Sequence, residues 1–459
     1  QYVSKRMKKM EISRIIYCVA ITYLCFSAAN AEIINKNVER VLDLSSQLVK
    51  TTYKITAEET TGKPIKEYVF IVTEPNLSYI SAKDGLNKKV DIQKIREGAG
   101  NTISYKLTFS SPSSKQSVVI ETVSTKNILP HPSEIRQNDK QLVKFVGKLY
   151  IHSKYSTSTQ KTNVILSSSN ILSHTQAKPF SVSSNKVFFG PYENIGAQAE
   201  DELVLHYENQ TPFLTVNTLE RTIEVSHWGN IAVKEAIQMT HSGAKLKGSF
   251  SRYDFQKDGR SGQSAVKSYK TYLPASANGV YYRDTNGNIS TSNMNLMRDF
   301  VDLDLRPRFP LFGGWKTQYT LGYNVPSYEY LYSSGNKYML KMHLIDHIHD
   351  NMLIDEAVVN IILPEGSTNI ELVTPYSVKR HQNDLMYTYL DTVGRPVISF
   401  SKQNLVENHI SDFTLKYSFS KVSLLQEPLL VIGFIYIIFL FTIVFLRLDL
   451  SITSHSHKD

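Results

Sequence analysis

Val38-Glu39-Arg40-Val41-Leu42-Asp43-Leu44-Ser45 is the stretch whose period decides the fold. Apolar and polar residues alternate along it, the spacing of a strand with one buried face. The pattern recurs position by position at Leu219-Glu220-Arg221-Thr222-Ile223-Glu224-Val225-Ser226. In both copies the alternation predicts the apolar residues on one strand face, with Glu, Arg and the acidic residues around them. The interval between the copies divides the chain into two units of about 200 residues, an ordinary domain size.

Working outward, the same period returns in short runs. Glu67–Val72, Ser117–Val123, Val164–Leu166 and Ala357–Leu363 are rich in Val, Ile, Thr and Tyr and bounded by Gly, Pro, Asn or Ser clusters. That is a β-sandwich signature, and 27 Tyr and 20 Phe fit strands better than helices. The expected architecture is a mainly β ectodomain of two tandem β-rich, sandwich-like domains, 32–215 and 216–425, followed by one transmembrane helix. The Ser-rich stretch His152–Ser184 is expected to form surface loops between strands, and Gln256–Ser268 a mobile loop.

The two ends place the chain across a membrane. Leu429–Leu446 contains no charge and covers about 27 Å as a helix, close to a bilayer's hydrocarbon thickness. Pro428 precedes it and Arg447 follows, so 428–446 is expected to span and 447–459 to form a short cytosolic tail. At the other end Lys5, Arg6, Lys8, Lys9 and Arg14 precede an apolar Ile15–Phe26, and Ala29-Asn30-Ala31 supplies a small-x-small pattern. Residues 1–31 therefore read as a signal peptide cleaved between Ala31 and Glu32, with Met7 or Met10 as initiator. Together these give a type I membrane protein with its bulk on the lumenal or external side.

Composition excludes several functions. Much of the +9 net charge lies in the signal peptide, and the near-balanced remainder gives no support to nucleic-acid binding. Both cysteines, Cys18 and Cys25, precede the cleavage site, so the mature chain would hold no disulfide, zinc-thiolate site or cysteine nucleophile. That favours residence in the endoplasmic reticulum, within a stabilising complex, over the cell surface. There is no His-Glu-x-x-His signature, no Gly-x-Ser-x-Gly elbow and no phosphate-binding Gly loop.

Weaker features remain. His343, His347 and His349, with Asp346 and Asp350, form the densest ligand-like cluster; on a strand, His347 and His349 would share a face. A polar strand face leading into Ala357–Leu363 explains them equally well. Asp302-Leu303-Asp304 matches the Asp-x-Asp pattern of cation-holding sugar transferases, and also the alternation of an edge strand. Trp228 and Trp315 each neighbour a Gly; core packing is the simple reading and a carbohydrate platform the other. Asn76-Leu77-Ser78, Asn209-Gln210-Thr211 and Asn288-Ile289-Ser290 are glycosylation sequons that mark surface loops, Asn288 the most exposed after its Asn286-Gly287 turn.

Longer words make a family resemblance specific. Ser226–Val233, Lys247-Gly248 with Phe250–Asp254, Tyr281–Asp284 leading to Gly287–Ser292, and Arg306–Thr317 continuing to Pro326–Tyr332 resemble ribophorin I, an oligosaccharyltransferase subunit. Ile361–Gly366, Tyr389–Thr392 with Gly394–Val397, and Leu425–Leu430 are similar too, and Val41–Ser46 fits the family's mature start. The resemblance is dense from 205 to 453. It implies a noncatalytic accessory subunit without cofactor or metal, in a complex that moves a preassembled glycan from dolichyl diphosphate to Asn of Asn-x-Ser/Thr. The implied partners are the other subunits, including a polytopic catalytic one, nascent polypeptides and the lipid bilayer. It further implies an ectodomain resembling noncatalytic portions of aminopeptidases, and a glycan on Asn288. The pattern runs out after Thr453, so the ribosome-contacting cytosolic domain of animal members is not carried over. The alternative function is a type I membrane glycan-binding receptor or metalloenzyme ectodomain.

Overall fold

Strands dominate wherever the alternation predicts them. The computed structural model describes residues 33–97, 102–257, 264–388 and 390–448. The expected signal peptide with the Ala31/Glu32 cleavage site read for it, the expected tail from 449, and the middle of the Gln256–Ser268 stretch lie outside these residues. The chain divides into two compact units. One runs up to Phe213 and includes Ser242–Ser264; the other comprises Leu214–His241 and the chain from Ala265 on.

In the first unit, β1 (Ile33–Leu44) pairs antiparallel with β2 (Val49–Glu59) and parallel with β3 (Thr157–Leu166) at the centre of a seven-stranded sheet. Two cores lie along β1. Val38 joins one with Tyr68, Phe70 and Leu107 of a three-stranded sheet. Leu42 and Leu44 join the other with Val143, Phe145 and Leu205 of a four-stranded sheet. β3 corrects the expectation of loops across His152–Ser184. Its Thr157, Gln160 and Thr162 are buried because hydroxyl and amide groups find partners inside, Gln160 Nε2 donating to Leu149 O and Thr162 Oγ1.

The second unit repeats this plan. β4 (Leu214–Val225) pairs antiparallel with β5 (Asn230–His241) and parallel with β6 (Leu353–Ile362), in a nine-stranded sheet. β1 and β4 each carry a register shift at the same distance before their arginine, at Asn35/Asn37 and at Val216/Thr218. A three-stranded and a four-stranded sheet share one core with the long sheet, through residues such as Leu303, Leu305, Leu340 and Leu415.

The echo differs from its predicted faces in one respect. Arg40 and Arg221 are about 1% exposed and lie in phase with the buried apolar residues, not on the polar face. Period two dictates this, since Arg40 is two residues from both Val38 and Leu42. Burying a guanidinium is tolerable only where carboxylates and carbonyls meet it.

α1 (Gln426–Arg447) ends the described part of the second unit. No residue of α1 is buried, and Glu427 in its first turn and Arg447 in its last complement the helix dipole. It is the one helix among the described residues long and apolar enough to cross a membrane. Its apolar surface on every face needs lipid or other helices around it.

Candidate functional site

A buried arginine in each unit organises a buried ionic group. In the first unit Arg40 donates to Lys148 O and, at 3.1 Å, to Glu74, to which Tyr53 also donates. Tyr53 is the β2 residue opposite Arg40. In the second unit the opposite residue on β5 is Glu235. Arg221 donates to Glu235, and at 2.7 Å to Asp346, which also accepts a hydrogen bond from the Tyr323 hydroxyl. One cation thus faces two carboxylates. Burial pushes Glu235 above the usual carboxylate range, which the Arg221 charge only partly offsets.

Asp346 is therefore an arginine partner, and the expected histidine cluster is drawn apart around it. His343 ends the strand Lys337–His343 half exposed, its Nε2 3.4 Å from Asp412. Beyond it the chain leaves strand geometry, with Leu344, Ile345 and Ile348 all buried, so the shared face expected of His347 and His349 does not form. His347 stacks on Tyr272 with centroids 4.5 Å apart. His349 is buried, its Nδ1 3.0 Å from Asp350 O, and burial pushes it down to about 4. Among the described residues no group of three or more His, Cys, Asp or Glu is placed to hold a metal ion. A cavity of about 520 Å³ opens above Arg221 and Asp346, lined by Tyr272, Phe300, Tyr330 and His347. No nucleophile–base pair is assembled among these residues.

Asp302 and Asp304 point to one side of the strand Phe300–Leu305 and are each taken by a cation. Lys270 donates to Asp302 at 3.0 Å and Arg306 to Asp304 at 3.0 Å. Alternation and local charge pairing account for the motif.

The sequons separate by burial. Asn288 is exposed on a hairpin that Arg308 braces through Asp284 and the Gly287 and Asn288 carbonyls. Asn76 is exposed at a left-handed turn with φ 55°. Asn209 corrects the expectation of a surface loop. It is fully buried, its Nδ2 donates to Ser46 O at 3.5 Å, and its Oδ1 accepts from Thr211. A glycan needs that nitrogen in solvent.

The two tryptophans also part. Trp315 packs partly buried on the core against Phe309 and Phe312. Trp228, for which core packing was the simple reading, is 67% exposed at the β4–β5 turn, where Gly229 takes φ +108°. The turn lies beside the start of α1, where sequence reasoning found no site and the structure builds a polar joint. Arg395 binds Asp391 at 3.1 Å, Glu224 at 3.0 Å and Glu427 at 3.1 Å. Glu365 accepts from the backbone of Thr392, Val393 and Gly394 and from the Gln426 amide at 2.9 Å. Partial burial pushes the Glu365 carboxyl up, but these donors outweigh it and hold it below the usual range. Gln426 and Glu427 are the first two residues of α1, so the joint clamps the helix to the sheet.

The chain matches the family model described as Ribophorin I over residues 33–446. It is 41% identical over 432 residues to dolichyl-diphosphooligosaccharide–protein glycosyltransferase subunit 1 of Caenorhabditis elegans, covering 92% of this chain and 74% of that one. It is 34% identical to subunit 1A of Arabidopsis thaliana, covering 98% and 76%. Among solved structures, leukotriene A4 hydrolase from Saccharomyces cerevisiae aligns at 9% identity and TM-score 0.26, over 42% of this chain and 31% of that one. An M1 zinc metallopeptidase from Deinococcus radiodurans aligns at 9% and 0.25, over 43% and 48%. Neither likeness is close enough to carry a functional argument.

Proposed function

This chain belongs to the ribophorin I family, and from that premise we propose that it is a noncatalytic accessory subunit of the oligosaccharyltransferase complex of the endoplasmic reticulum. The observation that carries the reading is the family match from β1 through nearly all of α1, so that domains and helix are matched together. Its work is assembly in the membrane and guidance of acceptor polypeptide on the lumenal side. Transfer of the glycan from dolichyl diphosphate to Asn of Asn-x-Ser/Thr belongs to a polytopic partner chain.

Two physical points support this division of labour. One span cannot by itself enclose a lipid-linked sugar. The conspicuous charged groups are also used structurally: Asp346 and Glu235 hold Arg221, and Asp302 and Asp304 hold Lys270 and Arg306. The receptor or metalloenzyme alternative has less behind it, because His343, His347 and His349 face different surroundings.

The orientation, with both units lumenal, rests on the signal-peptide reading. Glycosylation of Asn288 and Asn76 belongs to the same proposal, since both are exposed. Purification of tagged full-length chain in mild detergent tests the function. A polytopic glycosyltransferase subunit should co-purify; recovery of the chain alone, as a monomer, would refute the assignment.

A further inference from the structure

We propose that a collar of exposed apolar side chains around the start of α1, formed by Trp228, Tyr387, Val393, Val422 and Leu425, is immersed in the headgroup–carbonyl layer of the bilayer. It would hold the second unit against the membrane surface. The span sets the depth. Pro428–Leu446 covers about 28 Å as a helix, so hydrocarbon begins near Pro428 and the residues just before it lie in the interfacial layer.

The collar is at that level by contact. Trp228 shares a hollow of about 190 Å³ with Leu424, Gln426 and Glu427. Gln426 Nε2 donates to Thr392 Oγ1 at 2.7 Å, which places Val393 beside the helix start. Tyr387 packs on Gly394, so closely that a Cβ there would come within 2.9 Å of its ring. Val422 and Leu425 belong to the 3-10 turn Lys421–Leu425 that leads into α1.

Exposure of these groups has no explanation within the unit. Trp228 is 67%, Val393 68% and Val422 74% exposed, whereas Trp315 is packed on the core. Indole and phenol rings favour the membrane–water interface, where an apolar ring and a polar N–H or O–H are both satisfied. The clamp at Arg395 and Glu365 gives the collar its effect. With Gln426 and Glu427 tied to the sheet, the unit cannot swing freely on the helix, so collar and span meet the bilayer as one body. A protein surface covering the collar is the competing occupant; continuity with the span favours lipid.

Trp228 and Trp315 are the only tryptophans, so fluorescence reads the collar directly. The full chain carrying Trp315→Phe is reconstituted into phosphatidylcholine vesicles, with or without phosphatidylcholine brominated at the 6,7 positions. Co-flotation with the vesicles reports insertion of α1 and so separates failure of the span from failure of the collar. In floated protein, bromolipid should quench Trp228 emission at least two-fold, and aqueous iodide should reach it poorly. If Trp315→Phe does not fold, the unsubstituted chain is compared with Trp228→Phe, an exposed change, which should lose the bromolipid-sensitive fraction. Strong iodide quenching without a bromolipid response would place the collar in water and overturn the proposal. Shielding from both quenchers would also overturn it, by showing that protein covers the collar.

Discussion

Replacing Arg221 with Met should unfold the second unit at a markedly lower temperature. Arg221 is about 1% exposed and is shared by Glu235 and Asp346, themselves 1% and 3% exposed. Met fills much of the volume, so packing loss is small; what remains is two buried carboxylates without their cation. Removing one partner of a buried ion pair costs about 3–5 kcal/mol. For a unit of this size each kcal/mol lowers the melting temperature by about 2–4 °C, so a fall of roughly 6–20 °C is expected. Both tryptophans lie in the second unit, so tryptophan emission during heating of detergent-solubilised protein follows that unit alone. Arg221→Met combined with Glu235→Leu and Asp346→Asn should recover part of the loss, because no uncompensated charge remains. A tryptophan-monitored midpoint within about 2 °C of the parent for Arg221→Met would refute the view that this cation holds the unit together. Arg40→Met should leave that midpoint in place and lower an unfolding step seen by far-ultraviolet circular dichroism.

Acid should weaken the second unit in the same assay. Burial pushes His227, His349 and His409 down to about 4, so the unfolded chain takes up their protons first, near 6.5. Their contribution is full above pH 6.5 and is lost as pH falls towards 4. Glu235, pushed up, acts in the opposite sense, contributing below the ordinary carboxylate pKa and losing that contribution as pH rises. Three imidazoles outweigh one carboxyl, and the midpoint should be lower at pH 5 than at pH 7; an unchanged or higher midpoint would contradict the burial argument. Asn288→Gln should abolish one glycosidase-sensitive step in gel mobility, whereas Asn209→Gln should remove none and should lower stability by losing the bonds to Ser46 and Thr211. Exchanging Leu429–Leu446 for poly-Leu should preserve membrane insertion and reduce co-purification with the complex, since it removes Gly433 and Thr442, the positions small enough for close approach of another helix. Undiminished co-purification would make the span a tether only.

Local pattern determined a good deal of this molecule. Alternation is a property of neighbouring residues, so β1 and β4, their common plan and the mainly β fold were legible in Val38–Ser45 and Leu219–Ser226. The uncharged run at Leu429–Leu446 likewise determined a membrane helix, because hydropathy over one segment suffices. Phase alone could also have placed Arg40 and Arg221 inside, each two residues from a buried apolar neighbour. Their partners could not be read that way. Asp346, which looked like a companion of histidines three residues to either side, binds an arginine 125 residues earlier. Asn209 looked like any sequon until the first unit closed over it, and Trp228 looked like a core residue until the β4–β5 turn carried it to the start of α1. The joint of Arg395, Glu365, Gln426 and Glu427 joins three separate stretches of chain; each belongs to a family word, but nothing in any one of them names its partners in the others. Only the tertiary structure decided these, because burial and ion pairing depend on which distant segments meet, and sequence period reports only the face on which a side chain begins.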